Sequence, residues 1–394
     1  MDEYRGNVVV IGGGTGTYTA SKGLKKFTKP TVIVSMADDG GSTGRLRDSY
    51  GVLPPGDIRR NLVALSDSDG LLREVFEYRF HENGSLYGRK YGDLLLNALT
   101  DIISNKRGLT EQKARGQAEE RVATLFNPEH YGKVIVRRLM GYEFSKEDNI
   151  TGHSFGNLTL TALDKITKSY VTAIEIASEI LNVKGTVLPV TTDNTRLVAV
   201  TYNPQTGKHG LLQGETHIDV PEHDLGERIE QIYLIPKASI HYRAEQAIID
   251  GDLIVIGPGD LWSSVLPNTI VEGVPEALKE AREHGAKIVY VCNLVTEAGE
   301  TNGFTAADHV EKVIRHIGEG VLTHTMCNNR VVSESLLRKY EEDGRFPVEV
   351  DGEKIKGFDI EFIGEDFIGD EETEAQLLRH DPDKIARRLI SLVK

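Results

Sequence analysis

The sequence predicts an α/β fold, doubly wound around a mostly parallel, Rossmann-like sheet, with a helical insertion and an added β-hairpin region. Three observations predict it. Short runs of apolar, largely β-branched residues end in glycine, as in NVVVIGGG (7–14) and DLIVIGPG (252–259). Stretches with helical spacing follow, TYTASKGLKKF (17–27) and GVPEALKEAREHG (273–285). Further apolar runs close each unit, TVIVSM (31–36) and AKIVYVCN (286–293). Strands apolar on both faces and separated by helices signal a parallel sheet covered on both sides.

The remaining elements fall into place around that rhythm. Another helix is expected near 306–318 and a strand over 321–329. Residues 57–104 and 151–182 carry apolar positions three to four apart, the helical period. Between them, 105–150 is rich in charge and reads as an irregular surface insertion. Residues 186–235 alternate as strands do, and NPQTGK (203–208) supplies a hairpin turn, so this is a β-rich elaboration. Residues 340–394 read as an acidic C-terminal extension, with six carboxylates and no base in GEDFIGDEETEA (364–375). No repeat or low-complexity linker divides the chain, so residues 1–394 are expected to form a single domain.

Composition excludes several classes. The 394 residues are 39% hydrophobic and 27% charged, ordinary globular values, and the net charge is −14. Such acidity argues against nucleic acid as a partner, because phosphate backbones need a basic face. No apolar run reaches the ~20 residues of a membrane span, so no membrane insertion is expected. The N-terminus MDEYRGNVVV enters a strand without a signal peptide. The two cysteines, Cys292 and Cys327, sit in apolar contexts with no CxxC spacing and read as buried thiols. The expectation is a soluble, cytoplasmic protein, paired as a homodimer.

Six segments carry possible chemistry. GGGTG (Gly12, Gly13, Gly14, Thr15, Gly16) lies between the first strand and helix, where backbone N–H groups can face an anion. No register gives G-x-G-x-x-G and no Lys-Ser/Thr follows, so it is neither a dinucleotide fingerprint nor a Walker loop. A tight turn with close packing is the competing explanation. In SMADDGGSTGR (35–45), Asp38 and Asp39 end the second strand, where a ribose-binding acid belongs. The pair could equally hold a partly hydrated magnesium ion bridging to phosphate, or form a polar turn. Arg45 and Arg47 could pair with phosphate or neutralise those aspartates.

GVLPPGDIRRNL (51–62) brings Arg59, Arg60 and Asn61 towards the same edge, although Asp57 also reads as a plain helix cap. TGHSFGNL (151–158) sets His153, Ser154 and Asn157 before a long helix. IVIGPGDLWSSVLPN (254–268) holds Gly257, Gly259, Asp260 and the only tryptophan, Trp262, which could stack on a base or simply pack. CNLVTEAGETNGF (292–304) adds Asn293, Glu300 and Thr301. Strand ends near 11, 36, 256 and 293 thus converge on one crevice. No Ser-His-Asp order or nucleophile elbow points to a hydrolase.

Taken together, GGGTG, ADDGGSTGRLR, PPGDIRRNLVALSD, FEYRF, GHSFGNL, IGPGDLWSSVLPN and VYVCNLVTEAGETNGFTAADHV resemble the CofD/YvcK-like family, specifically its YvcK branch of gluconeogenesis factors. The resemblance spans roughly residues 7–100 and 150–320 in family order. It implies a cytoplasmic regulator that binds UDP-sugars, notably UDP-N-acetylglucosamine, and links gluconeogenic growth to cell-wall synthesis and cell shape, without turnover. The CofD branch implies the alternative, a magnesium-dependent transferase using a nucleoside-diphosphate-linked donor, with Asp38 and Asp39 as its metal-holding candidates. The family's Gly-Pro-Gly-Ser-Leu-Tyr-Thr-Ser reads here with Asp260, Trp262 and Ser263 at the serine, tyrosine and threonine positions. On the family pattern the glycine loop and Arg45 would take the diphosphate, the aspartates the ribose or a cation, and the second glycine loop with Trp262 the base. Arg59, Asn61, His153, Asn157, Ser263, Asn293 and Thr301 complete the expected ligand contacts.

Overall fold

The computed structural model describes residues 4–68, 70–81, 83–125, 133–219, 226–369 and 378–394. The chain forms two compact units, one of Met1–Asp38 with Gly185–Lys394, the other of Asp39–Lys184. Both are built as the hydrophobic patterns dictate.

The first unit is the doubly wound one. Its seven-stranded sheet has the order β10-β9-β8-β7-β1-β2-β3, formed by β1 (Val8–Gly12), β2 (Thr31–Val34), β3 (Thr186–Pro189), β7 (Leu253–Ile256), β8 (Lys287–Val291), β9 (His324–Asn328) and β10 (Glu361–Glu365). Every pairing is parallel. All residues of β1 and β7 are buried, which their unbroken apolar runs require. Helices Gly14–Leu24, Val274–Glu283 and Ala306–Ile317 are the crossovers the sequence predicts. The last starts with a capping box, in which the Thr305 hydroxyl accepts from the Asp308 N–H and Asp308 accepts from the Thr305 N–H.

A second, antiparallel sheet has the order β5-β4-β6, from β4 (Arg196–Asn203), β5 (Lys208–Gln213) and β6 (Arg228–Ile235). The predicted turn is present: Asn203 Oδ1 accepts from the N–H groups of Gln205 and Thr206, and Gly207 takes φ +67°. The C-terminal region is part of the same unit. β10 adds to the main sheet beside β9, and helix Pro382–Ser391 packs on Gly14–Leu24 at Gly23, where a Cβ would lie 1.9 Å from the Pro382 carbonyl oxygen. Residues 370–377, including most of the acidic run, fall outside the described residues.

The second unit is helical. Its centre is Phe155–Thr167, buried over most of its surface although it carries Asn157 and three threonines. The Thr159 and Thr161 hydroxyls, buried with it, donate back to the carbonyls of Phe155 and Asn157 at 2.9 Å. The stretch 105–150, expected to be irregular, instead carries the end of Tyr91–Arg107, helix Glu111–Leu125 and helix Lys133–Met140. Its composition explains the difference. Glu, Gln, Lys, Arg and Ala are strong helix formers, and among the described side chains of Glu111–Leu125 the fully buried ones are Ala114 and Ala118, one turn apart. Among the described residues no helix is long and apolar enough to cross a membrane.

Candidate functional site

In the first unit the chain leaves β1 for β2 and β3 on one side, and leaves β7 for β8, β9 and β10 on the other. Since β1 and β7 are neighbours, their carboxyl ends form a topological switch point, the place where open α/β sheets hold ligands. The strand ends near 11, 36, 256 and 293 therefore belong to four adjacent strands.

Both loops at the switch point are glycine-rich, and they pack on each other. A Cβ at Gly16 would lie 2.3 Å from the Pro258 carbonyl oxygen, and one at Gly259 3.2 Å from the Gly13 carbonyl oxygen. The Gly257 N–H donates to the Ile11 carbonyl at 2.9 Å. Gly14 and Gly257 take φ +66° and +77°, the left-handed region that glycine enters without strain. Close packing thus accounts for Gly16 and Gly259. It leaves room for an anion, because helix Gly14–Leu24 begins with no side-chain cap and no acid in its first turn. The positive end of that helix lies on the same wall as the Asp260 carboxylate of the second loop.

A cavity of about 390 Å³ opens beside these loops. Its wall combines Thr15, Gly16 and Thr19 with Pro258–Asp260, Asn293–Val295 and Glu297, and with Tyr340, Arg345 and Leu378–His380. Arg345 pairs with Glu297 in that wall. Main-chain bonds fix the C-terminal contribution: Gly369 N–H to Arg379 O at 3.0 Å and Asp381 N–H to Phe367 O at 2.8 Å. The Tyr340 hydroxyl accepts from the Leu378 N–H at 2.7 Å. Burial pushes the His380 imidazole down to about 4, against an opposing hydrogen bond to the Cys292 backbone, so the ring is neutral at physiological pH. Glu297, Tyr340, Arg345, Arg379 and His380 are missed by the sequence reasoning. The one signal for the last two is a basic Arg-His pair just before the helix-starting Asp381-Pro382.

Other expected contacts in this unit lie elsewhere. Trp262 is fully buried in the core, with Lys312 Nζ 5.4 Å from its ring centroid and His316 edge-on, so it presents no face to a base. Ser263 is also buried. The Thr301 hydroxyl is buried and accepts from the Glu297 N–H at 2.8 Å, closing the loop after β8. Asn293 stays at the cavity, with a buried Oδ1 that has no hydrogen-bond partner among the described residues. A second, more apolar cavity of about 460 Å³ lies at the ends of β8, β9 and β10 and shares Asn293, Leu294 and Leu378 with the first. Cys292 and Cys327 line it as free thiols, and contact with Cys327 together with burial pushes the Cys292 thiol well above its usual range.

Arg45, Arg59, Asn61, His153 and Asn157 belong to the helical unit. Asn61 is buried and donates to the Asp57 carbonyl one turn back. Arg45 reaches Asp148, at 3.5 Å, and the Thr151 carbonyl, at 2.7 Å. His153 Nε2 meets the other Asp148 oxygen at 2.9 Å. Arg47 is buried. The largest of the three described cavities, about 750 Å³, also lies in this unit, between Gly70–Glu77, Tyr91–Arg107 and Glu111–Leu125. It holds none of the expected site residues, and its mixed charges pair locally, as Lys106 does with Glu74.

Asp38 and Asp39 are half-buried, and the chain passes from the first unit to the second between them. Among the described residues no cluster of three or more His, Cys, Asp or Glu could cage a metal ion. Two carboxylates do suit magnesium, which keeps several waters and takes its remaining ligands from phosphate.

The chain matches the family model for 2-phospho-L-lactate transferase CofD over residues 8–122 and 110–368. It is similar to the gluconeogenesis factor of Halalkalibacterium halodurans, 32% identical over 98% of this chain and 95% of the relative. The gluconeogenesis factor of Bacillus subtilis is likewise 32% identical, over 98% of each chain. A crystal structure of a UPF0052 family member from Bacillus halodurans has 30% identity and a TM-score of 0.74, covering 99% of both chains. The glycine loops, the seven-stranded parallel sheet and these likenesses over the whole length place the chain in the CofD family, alongside the bacterial gluconeogenesis factors.

Proposed function

We propose that this protein binds a nucleoside-diphosphate sugar of the UDP-N-acetylglucosamine kind and acts as a regulator of gluconeogenic growth, cell-wall synthesis and cell shape. The observation that carries the reading is the cavity at the switch point, bounded by two interlocked glycine loops, an uncapped helix N-terminus and the side chains of Arg345 and Arg379. A diphosphate suits that combination: backbone donors and a helix dipole at one end, guanidinium groups at the other. Asp38, in the same unit, would take ribose hydroxyls or a hydrated magnesium ion, which would screen the diphosphate charge. Among the described residues of the cavity wall, the His380 ring is held neutral and hydrogen-bonded to backbone. The relatives' name, gluconeogenesis factor, supports a metabolic role.

Calorimetric titration of the full chain with UDP-N-acetylglucosamine tests it. Saturable binding is expected, weakened at least tenfold by Arg379→Gln; no heat at millimolar ligand, with or without magnesium, overturns the reading. The match to the CofD family model supports a second reading, a magnesium-dependent transferase. That reading requires donor consumption that Asp39→Asn abolishes, and it is lost if binding occurs with no turnover in the presence of any acceptor.

A further inference from the structure

The two cysteines of the chain lie side by side on adjacent strands of the main sheet. In the parallel ladder of β8 and β9, Val291 pairs with Met326, and the Cys292 N–H continues it by donating to the Met326 carbonyl at 2.9 Å. The next rung is therefore Cys292 beside Cys327. Side chains alternate along a strand, so both thiols share a face with Tyr290 and Thr325, the rung two residues earlier. The Thr325 hydroxyl oxygen lies 3.9 Å from Cys327 Sγ on that face. Hydrogen bonding between the thiols, ahead of burial, is the largest cause holding the Cys292 thiol well above its usual range. Both cysteines are free, and both line the second cavity, of about 460 Å³.

That placement meets the geometric demand of a disulfide. Neighbouring strands lie ~4.7–4.9 Å apart, and a bridge accepts Cα separations of ~4.4–6.8 Å, so the backbone need not move far. A bridge draws its Cβ atoms to ~3.5–4.5 Å, closer than parallel neighbours hold them. The bond would therefore carry strain, which marks the easily reduced disulfides rather than the structural ones. Access comes from the cavity, whose volume falls among small-molecule pockets of ~300–1,000 Å³. Its wall is apolar at Leu294, Val332 and Val348, and Arg330 is its one charged residue among those described. A cation there favours a thiolate over a thiol.

We propose that Cys292 and Cys327 form a modification site, at which a low-molecular-weight disulfide entering the cavity converts the dithiol into a reversible internal bridge. Cys292 is held protonated, so Cys327 reacts first. Its thiolate, having shed a proton to solvent, attacks one sulfur of the small disulfide. The reagent's S–S bond breaks, a mixed disulfide forms on Cys327, and a small thiolate leaves. That thiolate takes the Cys292 proton, and the Cys292 sulfur attacks Cys327 Sγ. The second small thiolate leaves and recovers a proton from solvent. The protein has then lost two hydrogens and two electrons, and the reagent has gained them as two thiols. The bridge closes next to the first cavity: the Cys292 backbone bonds the His380 ring, and Asn293 belongs to both walls. Its formation is independent of what that first cavity binds.

Intact-mass measurement on the native full chain tests this, after exposure of the reduced protein to bis(2-hydroxyethyl) disulfide at pH 8 and an acid quench. The parent should lose two hydrogens and carry no adduct, and dithiothreitol should restore the starting mass. Cys292→Ser should stop at one adduct on Cys327. Cys327→Ser should react at least tenfold more slowly than Cys292→Ser, because the remaining thiol is the protonated one. The parent measurement needs no substitution, so a variant that fails to fold leaves the test intact. A parent that stays reduced, collects two adducts, links two chains or closes its bridge only in urea overturns the inference. Equal reactivity of the two single variants overturns the order of attack.

Discussion

Replacing Gly16 by alanine sets two effects of known sign against each other. Gly16 lies in the first turn of a helix, where an alanine ordinarily gains up to ~1 kcal/mol over glycine. Against that, the new Cβ would stand 2.3 Å from the Pro258 carbonyl oxygen, 2.5 Å from its carbon and 2.9 Å from the Gly259 nitrogen. All three are backbone atoms, so no rotamer can relieve the overlap. A carbon–oxygen contact relaxes only near ~3.3 Å, so the loops must part by about 1 Å, and such overpacking costs ~1–3 kcal/mol. The overlap outweighs the helical gain, and the variant should be destabilised by ~1–2 kcal/mol, roughly 1–2 °C in Tm for each kcal/mol in a chain of 394 residues. The same displacement widens the diphosphate seat, so UDP-N-acetylglucosamine should bind at least tenfold more weakly.

Gly116 is the matched control. It too is helical, but it is exposed and a Cβ there meets nothing within 4 Å, so Gly116→Ala should stabilise the protein by ~0.5–1 kcal/mol. Denaturant titrations of both variants beside the parent provide the measurement. A Gly16→Ala protein as stable as its parent, with unchanged affinity, would refute the interlocked-loop geometry.

Three other outcomes are expected. Trp262→Ala should cost ~3–5 kcal/mol through the cavity it leaves, and the emission of this single tryptophan should be blue-shifted and unmoved by saturating nucleotide sugar; a ligand-dependent change would return the residue to the binding surface. Thr305→Ala should lose ~1 kcal/mol, because the hydroxyl that accepts from Asp308 N–H disappears, and chemical denaturation reads it directly. His380, lowered to about 4 in the fold, binds its proton in the unfolded chain near 6.5, so its contribution is at its best above pH 6.5 and is lost as pH falls from there to about 4. Stability measured across that window should fall less steeply in His380→Gln, by up to ~1.4 kcal/mol per pH unit; an unaltered slope would mean that the ring is solvated.

The sheet was legible because burial on both faces writes itself into the sequence as unbroken apolar runs, and VVVIG and LIVI have no other comfortable home. The hairpin was legible through Asn203 and Gly207, whose turn chemistry is local. The helix at 111–125 was hidden for the opposite reason: a helix seated by two alanines leaves almost no hydrophobic period to read. The far wall of the cavity was hidden by distance. Arg379 and His380 reach the glycine loops because the final helix docks on Gly23, and Arg345 because Phe346 pairs with Thr296 in the loop after β8, contacts that no motif spacing records.

Glycines show how far a motif can be read. A turn, a phosphate seat and a packing contact all demand the absence of a Cβ, so GGGTG and GPG look alike under all three explanations. What the missing Cβ would have met separates them. At Gly16 and Gly259 it meets the opposite glycine loop, and at Gly44 it meets the Asp39 carbonyl oxygen at 2.2 Å, so these residues serve the chain itself. At Gly14 and Gly41 the space is open or bounded only by a serine hydroxyl, and the constraint is the positive φ. Part of the glycine signal that first suggests a nucleotide is therefore architecture. The weight of the ligand argument falls on the uncapped helix beginning at Gly14 and on the arginines brought to it from the end of the chain, which is why Arg379→Gln is a sharper test of binding than any substitution in the glycine motif.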